Sequence, residues 1–124
     1  MLKFLVAVGV LIGVAGPAYA MNVHVFLTKA EALKKKGPLA LFSSDLKLLM
    51  QQVESDMTAL KVEKEAAEAA NRPTAFCPPK GTKISVNDRD ILDAMRAVPP
   101  TRRTSTDSTG AIRAHFARRY PCPS

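Results

Sequence analysis

Leu46, Leu49, Met50, Val53, Met57 and Leu60 recur at steps of three and four. That spacing puts one apolar face on a helix of more than four turns and leaves no room for a strand there. Ser43, Ser44 and Asp45 supply candidate caps at its start. Past Leu60 the stripe thins into Lys64, Ala67 and Ala70. The run Glu63 to Ala70 is rich in strong helix formers, so the helix is expected to continue there with less packing. Asn71-Arg72-Pro73 ends it. An alanine-rich end of this kind projects, or packs against a second copy of the chain.

Three further helices follow from the same logic. The first spans about Asn22 to Lys36, with Val23, Phe26, Leu27, Ala30 and Leu33 as its stripe. Thr28 to Glu31 matches a capping box, but it lies inside the helix if Asn22 is the cap. Lys34-Lys35-Lys36 suits the negative pole of the helix, and Gly37-Pro38 stops it. Thr74 to Lys83 reads as an irregular link, because Pro78-Pro79 excludes regular helix. A third helix is capped by Ser85 or Asn87 and carries Ile91, Leu92, Met95 and Val98 inward until Pro99-Pro100. Thr101 to Gly110 is a polar loop. The fourth helix runs from about Asp107 or Ser108 to Arg119, with Ala111, Ile112, Phe116 and Tyr120 facing in and Arg113, Arg118 and Arg119 facing out. Pro121 closes it. The expectation is an all-α bundle of about four helices.

Residues 1–20 have the three parts of a cleavable signal peptide. Lys3 gives the positive start, Phe4 to Val14 is uncharged and almost wholly apolar, and Ala18-Tyr19-Ala20 is a small-x-small cleavage site behind Pro17. The apolar run is shorter than the roughly 20 residues of a membrane span. The competing readings are an uncleaved anchor or a start at Met21. No Cys follows the cleavage site, which excludes a lipoprotein anchor there. The expected domain is therefore residues 21–124, exported to the periplasm and without stable membrane insertion after cleavage.

Of the 18 basic residues only Lys3 falls in the leader, and the remainder outnumber the 11 acidic residues by six. A basic balance favours anionic partners. Export argues against nucleic acid and for envelope polymers, lipid headgroups or an acidic protein surface; charge that serves only solubility is the plainer reading. Two cysteines allow one intramolecular pairing, which would close a loop of about 46 residues and contribute about 4 kcal/mol. Free thiols or an intermolecular bridge are the rivals, and an oxidising compartment disfavours the first.

Catalytic constellations are missing. His24 and His115 stand alone on helices, and with Cys77 and Cys122 they match no zinc spacing. Asp45, Asp56, Asp88, Asp90 and Asp93 read as caps, first-turn acids and solvated faces. Ser43-Ser44 and Ser105 to Ser108 have no histidine nearby, and Gly81 and Gly110 are isolated turn residues. The expectation is a non-enzyme without cofactor or metal. Arg102-Arg103, on a loop after two prolines, is the candidate partner contact.

Phe76-Cys77-Pro78-Pro79-Lys80-Gly81 ahead of a capped helix, and a last helix ending Arg119-Tyr120-Pro121-Cys122-Pro123, complete an arrangement that resembles the Rap/Tai family of type VI secretion immunity proteins. The similarity is concentrated in residues 76–123. It implies that Cys77 and Cys122 are the structural pair. It also implies a small helical periplasmic protein, often dimeric, that binds and blocks a secreted peptidoglycan amidase. No toxin-contacting residue carries over. A structural or chaperone-like envelope protein is the alternative.

Overall fold

A computed structural model describes residues 21–123. Within them lie α1 (Val23–Lys36), a 3-10 helix (Gly37–Phe42), α2 (Ser44–Ala69), α3 (Asp88–Arg96), a short 3-10 helix (Pro100–Arg102) and α4 (Ser108–Arg119). The expected all-α bundle is what the chain forms. The sole β feature among the described residues is an isolated bridge between Asn22 and Asp107.

Side-chain caps set the start of every α-helix. The Oδ1 of Asn22 accepts from the Val25 N–H at 2.8 Å, so Thr28 lies inside α1 and its hydroxyl donates to the His24 carbonyl. Ser43 caps α2, Asp107 caps α4, and Asn87 caps α3 through a reciprocal box with Asp90. In that box Asn87 Oδ1 accepts from the Asp90 N–H at 2.9 Å, and Asp90 Oδ2 accepts from the Asn87 N–H at 3.2 Å. Helix α2 is closed just past its Ala70 cap by Asn71, whose φ of +55° is the left-handed conformation that asparagine tolerates better than most residues. The Arg72 N–H then donates back to the Ala67 carbonyl at 2.8 Å.

Gly37-Pro38 breaks α1 but does not end helical winding. Gly37 takes a φ of +59°, and Pro38 pre-sets the opening of the 3-10 helix that carries the chain to Phe42. The alanine-rich end of α2 does not project bare. The chain turns back there, and Ala67 is buried.

Helix α2 is the spine, about 39 Å long at 1.5 Å per residue. Its two halves pack against different neighbours. Lys29 pairs with Asp45 at 3.3 Å, placing α1 antiparallel on the first half. Thr109 meets Asp56 at 2.6 Å and Arg113 meets Glu63 at 2.9 Å, so α4 runs in the same sense as α2 along the second half. Helix α3 packs on α4 and α1. The core joins Val23, Phe26, Leu27 and Leu33 of α1 to Leu49 and Leu60 of α2, Ile91 and Met95 of α3, and Ala111, Ile112 and Phe116 of α4. Phe76, from the link, packs on Phe116 with ring centroids 5.2 Å apart.

The N-terminal end of the described chain is woven into the start of α4. The Ser108 N–H donates to the Met21 carbonyl at 2.6 Å and the Val23 N–H to the Thr106 carbonyl at 2.8 Å. The His24 N–H donates to the Arg103 carbonyl at 3.1 Å. These bonds give residues 103–108 a fixed course where the sequence reads only as a polar loop.

Candidate interaction surface

Cys77 and Cys122 are bonded to each other, with Cα atoms 4.8 Å apart. The Cys77 N–H also donates to the Tyr120 carbonyl at 2.8 Å, so covalent and hydrogen bonds hold the same junction. The bridge fastens the extended, proline-stiffened segment after Phe76 to the tail of α4.

That fastening frames a groove. Its floor is apolar, formed by Met57, Leu60, Phe76, Ile84 and Phe116, and its rim is charged, formed by Lys61, Lys64, Glu65, Glu68 and Lys83. The open volume is about 530 Å³. One wall is the second half of α2 and the other is the link after the disulfide. An apolar floor inside a polar rim is the layout of a protein-recognition surface. Sequence reasoning did not find this site, because its two walls belong to different segments, the second half of α2 and the irregular link, and neither carries a local pattern for it. Its local signal was the thinning stripe of α2, where Lys61 and Lys64 border an apolar face.

The two arginines singled out from sequence separate in the structure. Arg103 is half-buried, and its fork closes α3: Nε donates to the Val98 carbonyl at 2.8 Å and Nη2 to the Arg96 carbonyl at 3.1 Å. The Arg96 carbonyl is that of the last residue of α3, at a helix end where positive charge is favoured, and the Val98 carbonyl belongs to the turn just beyond it. Arg103 thus serves the fold. Arg102 is exposed beside it. Neither lines the groove.

Asp56 departs from the solvated-face expectation. It is 1% exposed, with Oδ1 accepting from Gln52 Nε2 at 2.9 Å and from the Thr109 hydroxyl at 2.6 Å. Its Oδ2 is buried without a hydrogen-bond partner, as are Ser108 Oγ and His115 Nε2. Asp56 lies at the start of α4, where a carboxylate meets the positive pole of the helix. His24 is exposed on α1, and the His115 ring lies tilted beside that of Phe116, with centroids 5.9 Å apart. Among the described residues no group of three or more His, Cys, Asp or Glu side chains converges at metal-binding distance.

Glu63 and Arg113 form a two-pronged pair, both bonds 2.9 Å long. The hydrogen bonds from Arg113 hold the Glu63 carboxyl below its usual range, against a smaller opposing effect of burial. The Arg113 guanidinium is pushed correspondingly up, chiefly by its bond to Glu63. The pair clamps α4 to α2 close to the groove.

A second feature is apolar and convex. The 3-10 turn buries part of Ala40 against the core but leaves Leu39, Leu41 and Phe42 exposed by 70%, 75% and 87%. It lies at the end of α2 away from the disulfide. No protein-family model, curated protein or solved structure matches the chain.

Proposed function

We propose that this chain is an exported, periplasmic binding protein without catalytic activity of its own. Its resemblance to the Rap/Tai proteins makes a secreted peptidoglycan amidase the favoured target and inhibition the favoured outcome. The observation that carries a protein-binding role is the groove beside the disulfide. Its apolar floor offers area, its mixed charges offer register, and its outer wall is stiffened by Pro78-Pro79 and covalently fixed. A pre-set surface of this kind costs little ordering entropy when a partner docks.

The test is capture of the tagged protein with its ligands from its own envelope extract and from secreted material, followed by assay of any co-purified cell-wall hydrolase. One dominant amidase, inhibited by the protein, is the expected result. Lys83→Glu changes only the exposed rim, so it should weaken that complex roughly tenfold or more while leaving the circular dichroism unchanged. Absence of any cell-wall hydrolase from the captured material would sink the immunity reading. The alternative is a structural or chaperone-like envelope protein. It would be supported by suppression of aggregation of a denatured client.

A further inference from the structure

The turn between α1 and α2 combines three exposed apolar side chains with exposed lysines on the helix ends that flank it. Leu39, Leu41 and Phe42 point away from the core, while Ala40 packs inward and the Ser43 N–H donates to the Ala40 carbonyl at 2.9 Å. Pro38 opens the turn, so its shape is fixed before anything binds. Lys34, Lys35 and Lys36 end α1, and Lys47 lies in the first turns of α2. The one acid between Lys34 and Leu48 is Asp45, which pairs with Lys29.

We infer that this turn docks on the surface of an anionic phospholipid bilayer, with Leu39, Leu41 and Phe42 entering the headgroup–acyl boundary and the lysines meeting lipid phosphates. Apolar side chains beside lysines are the composition that binds at such an interface, through buried apolar area and attraction to anionic lipid together. A second copy of the chain is disfavoured, because a two-fold contact through this turn would bring two sets of these lysines together. A protein partner is disfavoured by shape. Three residues on a convex tip offer far less than the roughly 800 Å² per partner of a stable interface. No helix of the described residues is long and apolar enough to cross a membrane, and the contact inferred here is superficial. It stands independently of what fills the groove, which lies toward the other end of α2.

The chain contains no tryptophan, so Phe42→Trp introduces a single tryptophan fluorophore at an exposed site. The protein recovered from the envelope is titrated with vesicles of phosphatidylglycerol and phosphatidylcholine, and with vesicles of phosphatidylcholine alone. The fluorophore reports the turn itself, so lipid contacts made elsewhere in the chain do not register. The inference expects a blue shift with the anionic vesicles, quenching by lipids brominated near the headgroup, and binding at least roughly tenfold tighter than to neutral vesicles. Replacing Lys34 and Lys35 by Gln in the same background should remove much of that preference while the thermal melt stays in place; Lys36 is kept, because its Nζ donates to the Ser43 hydroxyl that caps α2. No shift with either vesicle overturns the inference. So does an equal shift with both, or a shift without lipid that grows with protein concentration, which would mark self-association.

Discussion

Thr109 and Asp56 show how much one buried hydroxyl decides. The carboxylate oxygen Oδ1 of Asp56 has two donors, Gln52 and Thr109, and almost no access to water. Thr109→Val keeps the shape and removes one donor, so chemical denaturation should report a loss of about 1–3 kcal/mol. The Glu63–Arg113 pair is nearer the surface, its carboxylate about half exposed, and is worth only about 0.5 kcal/mol. Because the folded Glu63 pKa is lowered, that contribution is complete above the ordinary carboxylate pKa. It disappears as pH falls through the lower, folded value. Stability measured from neutral to strongly acid pH should therefore fall slightly less for Glu63→Gln than for the parent chain. An unchanged slope would mean that solvent screens the pair completely. The burial of Asp56 was legible in principle. It lies three residues after Val53 and four before Leu60, on the face of α2 that the apolar residues mark out. A stripe counted from apolar residues alone passes over it. The same count admits Met50, which is 58% exposed because the buried line runs through Leu49 and Val53 instead.

Each helix depends on its ends to a degree set by its length. Helix α3 has nine residues, too few to be stable without caps and tertiary packing. Asn87→Ala removes half of its capping box and should cost about 1 kcal/mol by denaturant titration. Arg103 performs the matching task at the other end, which is why a loop arginine that looks free in sequence is engaged in the fold. The helices themselves were legible because the stripes, caps and prolines agree with one another. Two features were not. The 3-10 turn after Gly37 is too short to show a period, and its exposed residues look like core residues to any reading of hydropathy. The groove lies between α2 and the link, two segments about 20 residues apart whose packing against each other no local pattern encodes.

At the scale of the whole molecule, the disulfide closes a loop of about 46 residues, which corresponds to about 4 kcal/mol. For a domain of this size, reduction should lower the melting temperature by roughly 15 °C or more. A melt that stays in place after thiol labelling confirms the opened bridge would refute this. The groove should loosen first, since the bridge holds its outer wall. The stitches between residues 21–24 and residues 103–108 carry a different consequence. Residues 21–24 find these hydrogen-bond partners only about 80 residues further along the sequence. Contacts of such long sequence separation are the slow ones to form, so this seam should be among the last parts of the bundle to close.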